Sequence, residues 1–198
     1  QEKEILLKEV HHRVKNNMQV ISSMLKLQSR FIENEKDLEL FKNSQNRVKS
    51  MAMIHERIYK SKDLASVNFD DYVKNLAMSL FANYGVNSRN VELDTDIEEI
   101  NVDMNTAIPL GLIINELISN ALKHAFPENR QGTLKIVFRK NESGQHVLIV
   151  EDTGVGFNYI DMQNPQTLGL QLVNALSAQL HGVLEVENKK GTKFTLTY

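Results

Sequence analysis

The chain contains no cysteine. Disulfides and thiolate metal sites are therefore excluded, and the composition fits a reducing, cytoplasmic setting. Long apolar runs are missing too. No stretch reaches the roughly 18 apolar residues that a membrane span requires, and the opening residues do not have the form of a secretory leader. Net charge is small, at −2, so no broad attraction to nucleic acid or to an anionic membrane surface is expected. The phosphate-loop pattern of spaced glycines followed by Lys-Ser/Thr is absent. So is a zinc-protease pair: His55-Glu56 begins that motif, but Tyr59 stands where its second histidine belongs. There is no internal repeat and no low-complexity tract. What remains is an ordinary globular composition, 41% hydrophobic and 24% charged over 198 residues, enough for one domain plus a smaller element. The chain begins with Gln1 inside a helical pattern, which reads as a segment of something longer.

Residues 2 to 32 hold no Gly or Pro and read as one long helix. Leu7, Val10, Val14, Ile21, Met24 and Phe31, with Asn17 and Gln28 filling the gaps, alternate spacings of three and four. That is a heptad seam. With Leu7 at a and Val10 at d, His11 falls at e and flanks the seam, while His12 falls at f, farthest from it. The second imidazole is therefore expected in solvent, with Arg13, Lys15 and Asn16 around it. Glu33 to Asp37 is a polar break. A second helix to about Lys60 carries Leu38, Phe41, Val48, Met51, Ile54 and Ile58 on a looser apolar face. Two helices on a short loop form an antiparallel hairpin. Its apolar stripes need cover, from a second copy in a four-helix bundle or from the rest of the same chain. Met18, Met24, Met51 and Met53 read as core filler.

The pattern changes across Ser61 to Asn68, which divides the chain into residues 1–64 and 65–198. From Phe69 on, helix and strand alternate. Asp70 to Tyr84 reads as a helix and Val91 to Asp94 as a strand. Asp103 to Phe126 reads as a helix with Pro109 near its first turns. Thr133 to Lys140 and Gln145 to Asp152 are strands joined by Asn141-Glu142-Ser143-Gly144. Leu170 to His181 is a helix stopped by Gly182. Val183 to Glu187 and Lys193 to Tyr198 make a last hairpin. The order predicts a mixed sheet with helices on one face, so the fold class is α+β: a helical hairpin followed by an α/β sandwich. His146 and His181 read as structural.

Four short motifs lie in the second part. In Asn115-Glu116-Leu117-Ile118-Ser119-Asn120-Ala121-Leu122-Lys123-His124, the residues Glu116, Asn120, Lys123 and His124 share a helical face. A carboxylate, an amide oxygen and cations there suit Mg²⁺ and phosphates; a solvated polar stripe is the plainer alternative. Asp152-Thr153-Gly154-Val155-Gly156 follows an apolar strand. It offers an acceptor for an exocyclic amine beside backbone that can approach a flat ligand, or else it is simply a turn. Thr167-Leu168-Gly169-Leu170 opens a helix, whose N-terminus favours phosphate. Gly191-Thr192 places a hydroxyl in the last hairpin.

Taken together and in this order, the four motifs resemble the ATP-binding domain shared by histidine kinases, DNA gyrase, Hsp90-type chaperones and MutL proteins, the GHKL or Bergerat fold. With His-His-Arg-Val-Lys-Asn-Asn ahead of them, nearly the whole chain resembles a two-component sensor histidine kinase. The resemblance is narrowest to the subfamily whose phosphoacceptor helix carries His-Arg-Val-Lys-Asn, related to the group named for its His, Trp and Glu motifs. It implies a dimerisation and phosphotransfer hairpin over 1–64 and an ATP-binding domain over 65–198. The implied reaction is Mg²⁺-ATP-dependent phosphorylation of His12, followed by transfer to an aspartate of a response-regulator receiver domain. The resemblance further implies Asn120 and Glu116 as Mg²⁺ ligands and Lys123 and His124 near the phosphates. It places Asp152, Gly154, Gly156 and Thr192 around the adenine, and Gly169 and Leu170 in the second glycine motif. An upstream sensor domain and a homodimer through the hairpin are expected, with a monomer as the alternative. The family pattern has an acid directly after the phosphoacceptor; here Arg13 stands there, and Glu9 becomes the candidate base. Asn16 is a candidate for orienting water in receiver dephosphorylation. Asn158 to Gln166 is expected to form a short lid, with Phe157 substituting in part for a missing Phe motif. Rival readings within the same nucleotide-binding fold are an ATPase, a serine-directed kinase or a non-catalytic scaffold.

Overall fold

A computed structural model of the chain describes residues 2–60, 67–85, 90–156 and 167–198. The chain divides into two compact units. One holds Gln1–Asn68 with Asn101–Leu112, and the other holds Phe69–Ile100 with Ile113–Tyr198. The expected boundary at Ser61 to Asn68 falls largely outside the described residues, and the lid from Asn158 to Gln166 with Phe157 falls wholly outside them. No helix among the described residues is long and apolar enough to cross a membrane.

In the first unit, α1 (Glu2–Gln28) ends in a single 3₁₀ turn at Ser29–Phe31, and α2 (Glu35–Lys60) runs back along it. The break between them is shorter than the sequence predicts. Asn34 Oδ1 accepts from the Lys36 and Asp37 amides at 2.8 and 3.4 Å, and this cap starts α2 early.

The packed face of α1 corrects the sequence reading. Of the predicted seam, Val10, Ile21, Met24 and Phe31 are 53%, 47%, 56% and 86% exposed, while Val14 is half-buried. The other positions turned inward are His11, Lys15, Met18, Ser22, Leu25, Ser29 and Ile32. They too alternate spacings of four and three, but one residue on, a rotation of about 100° around the helix. Ser, Lys and His make this inner stripe look polar, so hydrophobic periodicity selects the other one. Met24 is consequently not core. On α2, Ile54 is fully buried, and the Ser50 hydroxyl donates to the Gly111 carbonyl at 3.4 Å.

Two more strands complete this unit. β1 (Val67–Asn68) pairs antiparallel with β3 (Asn101–Val102). The sequence reading missed this pair, because two residues carry no period. Asp103 then caps α4 (Met104–Asn120), with its Oδ1 accepting from the Thr106 amide at 2.8 Å. Pro109 lies inside that helix, beyond its first turn, and the helix forgoes one backbone bond there.

The second unit is built on α3 (Phe69–Tyr84) and a five-stranded sheet. Its strands are β2 (Val91–Ile97), β4 (Gly132–Lys140), β5 (His146–Asp152), β6 (Val183–Asn188) and β7 (Thr192–Thr197). The spatial order is β2-β4-β5-β7-β6, with β2 parallel to β4 and every other pairing antiparallel. β2 is longer than predicted because it pairs with β4 along its full length, through Ile97 opposite Phe138. Burial alternates along β5 and β7, giving the sheet one apolar face. Leu134, Ile136, Phe138, Leu148, Val150, Phe194 and Leu196 supply that face. Phe69, Tyr72 and Leu76 of α3 and Ile113, Ile114 and Ile118 of α4 are buried, with Leu170 and Val173 of α5 (Leu168–Gln179). The α/β sandwich is therefore as expected.

Two helix ends differ from the sequence reading. α5 starts two residues early because Thr167 caps it, its hydroxyl accepting from the Leu170 amide. It stops early because His181, not Gly182, takes the left-handed conformation (φ 54°).

Candidate functional site

Neighbouring histidines on α1 have opposite surroundings. His11 is 5% exposed and its Nδ1 lies 3.2 Å from Nδ1 of His55 on α2, itself 7% exposed. Burial pushes both imidazoles below their ordinary range, and on His55 the neighbouring His11 adds to the effect. His12, one residue later, is exposed. Around it, Nδ2 of Asn16 stands 3.5 Å from His12 Nδ1. The Arg13 Nε donates to Glu9 Oε1 at 2.7 Å, so the candidate base is engaged by a guanidinium. Lys15 faces Glu56 at 4.0 Å. His55, read as the stub of a failed zinc motif, is the partner of His11. Forty-four residues separate them, and no local signal links the two.

In the second unit, β5 delivers Asp152 to the end of the sheet with 6% exposure. Its Oδ1 accepts from the Gly154 amide at 2.9 Å and the Thr192 amide at 3.3 Å. Burial pushes the carboxyl up, against the opposing pull of those two amides. Asp152, Gly154 and Thr192 are thus brought together.

The glycines have an additional cause. A Cβ on Gly154 would collide with the Ala125 carbonyl oxygen, which accepts from the Val155 amide at 2.9 Å. Gly191 (φ +96°) lies against the Asp152 backbone, where a Cβ would collide with the carbonyl oxygen. Close packing of the chain on itself therefore requires these residues.

α4 stops being an α-helix at Asn120. Ala121–Ala125 form a single π turn, a feature often found at functional positions. Exposure differs along the predicted face. Glu116 is 5% exposed, Asn120 and Lys123 are half-buried, and His124 is exposed. Glu116 cannot be part of a solvated stripe. Asn115, which the sequence reading passed over, is 1% exposed, and its Nδ2 donates to Glu116 Oε1 at 3.2 Å. Lys123 Nζ lies 5.5 Å from the centre of the Tyr84 ring. Gly169 is half-buried and Leu170 buried in the first turn of α5, and Gly156 has φ +87°.

A cleft of about 590 Å³ opens beside Thr153, Gly154, Val155 and Gly191, with Arg130, Lys189 and Lys190 on its walls. Among the described residues no three His, Cys, Asp or Glu side chains cluster as a metal cage. A divalent cation held mostly by ligand phosphates needs only one or two hard oxygens from the protein, and Glu116 with Asn120 fits that demand.

A mixed sheet backed by helices on one face, with a buried acid at a strand end and a helix end locked onto the glycine loop after it, defines an ATPase class. The profile described as histidine kinase-, DNA gyrase B-, and HSP90-like ATPase matches residues 105–198. A second, described as histidine kinase, matches residues 9–84. The chain is 31% identical over 200 residues to the sensor histidine kinase PdtaS of Mycobacterium tuberculosis, covering 98% of this chain and 39% of the relative. It is 29% identical over 190 residues to blue-light-activated histidine kinase 2 of Erythrobacter litoralis, covering 88% of this chain and 52% of that protein. Among solved structures, the histidine kinase domain from the Erythrobacter litoralis EL346 blue-light activated histidine kinase superposes with a TM-score of 0.73 at 21% identity. That match covers 100% of this chain and 94% of that one, and shows the shared fold. The chain belongs to the histidine kinases, as a catalytic core with the subfamily features that its His-Arg-Val-Lys-Asn helix suggests. It spans about two-fifths of the length of the mycobacterial relatives.

Proposed function

We propose that the chain is the ATP-dependent autokinase core of a two-component sensor histidine kinase. It phosphorylates His12 and passes the phosphoryl group to an aspartate of a separate receiver domain. The observation that carries this reading is the contrast between a buried, partnered His11 and an exposed His12. Only the second can reach a nucleotide held by another surface. A neutral imidazole is a competent nucleophile near pH 7, since its ordinary pKa is about 6.5.

Residues 65–198 bind the nucleotide and residues 1–64 receive the phosphoryl group. Asp152 accepts from the adenine amine, with Gly154, Gly156 and Thr192 completing the adenine end. Gly169 and Leu170 open a helix whose amides face phosphate, and Lys123 and His124 add positive charge there. Asn120 and Glu116 hold Mg²⁺, which when bound neutralises phosphate charge. Asn115 keeps the Glu116 carboxylate fixed. The exposed stripe of Val10, Ile21, Met24 and Phe31 pairs with the same stripe of a second copy, making a homodimeric four-helix bundle. The absence of cysteine fits a cytoplasmic location.

Incubation with γ-labelled ATP and Mg²⁺ tests the reading. The label should be acid-labile and alkali-stable and should chase onto a receiver domain. Acid-stable label would indicate a serine-directed kinase, and release of phosphate without label would indicate an ATPase.

A further inference from the structure

The seam between α1 and α2 holds two imidazoles that the proposed reaction does not use. His11 and His55 are 5% and 7% exposed, and their Nδ1 atoms stand 3.2 Å apart across the hairpin. The ring centres are 5.4 Å apart with the planes at 47°, so the rings meet nitrogen to nitrogen rather than face to face. A hydrogen bond between neutral rings employs the two Nδ1 atoms and leaves His11 Nε2 buried with no partner among protein atoms. Such an orphan calls for an explanation beyond packing, since two apolar side chains would fill the seam without it.

We propose that His11 and His55 form a two-histidine site for a borderline divalent metal ion of the Zn²⁺ class, held through both Nδ1 atoms. Zinc binds imidazole nitrogen at about 2.0–2.1 Å in tetrahedral geometry, which sets two ligand nitrogens about 3.4 Å apart. The separation of the two Nδ1 atoms is close to that. Imidazole suits Zn²⁺, Ni²⁺ and Cu²⁺, whereas Mg²⁺ takes oxygen ligands, so the ion that accompanies ATP does not compete. The two ligands come from different helices, and a shared ion ties α1 to α2 one residue before His12.

Binding needs no net loss of a proton. In the empty pair one ring carries its proton on Nδ1 and donates to the bare Nδ1 of the other. When the ion enters, that proton moves to Nε2 of the same ring, both Nδ1 lone pairs face the metal and both rings stay neutral. Among the described residues no third His, Cys, Asp or Glu joins the pair, so water completes the coordination sphere. Two protein ligands instead of four put the Kd on the order of 1–100 µM, far weaker than a structural zinc site.

A Zn²⁺ titration in excess Mg²⁺, followed by long-range ¹H–¹⁵N spectra of the imidazoles, tests the site. With signals assigned through the backbone, the wild-type titration decides even where a variant fails to fold. The His11 and His55 rings should shift together, saturate at about one equivalent and both take the Nε2–H pattern. Tm should rise by about 3–6 °C when free Zn²⁺ is about tenfold above Kd. His55→Gln keeps a hydrogen-bonding side chain but should bind Zn²⁺ roughly tenfold or more weakly, the loss of a ligand nitrogen, whereas His12→Gln should bind as wild type. Shifts confined to exposed rings such as His12 and His124 would overturn the proposal. So would wild-type Zn²⁺ affinity in His55→Gln, or His11 and His55 signals unmoved at about 1 mM Zn²⁺, well above the expected Kd.

Discussion

Replacing Asp152 by Asn separates ligand recognition from folding at the adenine end of the site. The two amides that fix this side chain both donate to Oδ1, from Gly154 at 2.9 Å and Thr192 at 3.3 Å. Asparagine keeps one acceptor oxygen, and the two donors hold it in the same place. The other oxygen becomes an NH₂ group, a donor facing the donor of an adenine amine. Loss of a hydrogen bond to a charged acceptor is worth about 1.5–3 kcal/mol, so ATP affinity should fall about 10- to 150-fold at roughly 1.4 kcal/mol per decade. Stability should move the other way. Burial raises the Asp152 carboxyl above its unfolded value. Across that window the folded chain retains a proton that the unfolded chain has lost, so stability falls as pH rises through it. The neutral amide removes this term, and Tm at pH 7 should be unchanged or higher. Calorimetric titration with ATP and thermal melts check both halves. Wild-type ATP affinity in Asp152→Asn would refute the adenine role, and a variant that unfolds would show that the carboxylate holds the fold rather than the ligand.

Two other expectations follow from buried histidines and the exposed stripe. His11 and His55 have folded pKa values below 6.5, so their stability contribution is complete above that pH and is lost as pH falls through it, because the unfolded chain takes up the protons. The slope is at most about 1.4 kcal/mol per pH unit for each ring. Tm should therefore drop between pH 7 and 5, and less steeply in His55→Leu, with His146, also pushed down by burial, supplying part of the remainder; an identical slope in the variant would contradict the pairing. Ile21→Glu with Met24→Glu charges an exposed stripe of α1, so sedimentation should show dimer association weakened on the order of 100-fold from the lost apolar burial, with little change in monomer folding. A double variant that remains dimeric at wild-type strength would remove the stripe from the interface.

The hairpin, the mixed sheet and the motif order were legible because each rests on periodicity or on a turn signal within a short window. His12 is exposed as expected, but the heptad register used to expect it is not the one α1 packs in. What was not legible depends on contacts between distant residues. The inner stripe of α1 is half polar and becomes a seam only because α2 lies on it. His55 gains its meaning from His11, 44 residues away. The β1–β3 pair is too short to carry a pattern. The π turn after Asn120 ends where Gly154 and Val155 close onto Ala125, and nothing in Ala-Leu-Lys-His-Ala announces it. The glycines of Asp-x-Gly-x-Gly were found for one reason, access for a ligand, and have a second in close packing.

The most direct test exchanges the adjacent histidines one at a time. The account predicts that His12→Gln folds as wild type, binds ATP normally and takes up no label from γ-labelled ATP, whereas His11→Gln melts at lower temperature but still labels while folded. Undiminished labelling of His12→Gln, or selective loss of labelling in a folded His11→Gln, would contradict it.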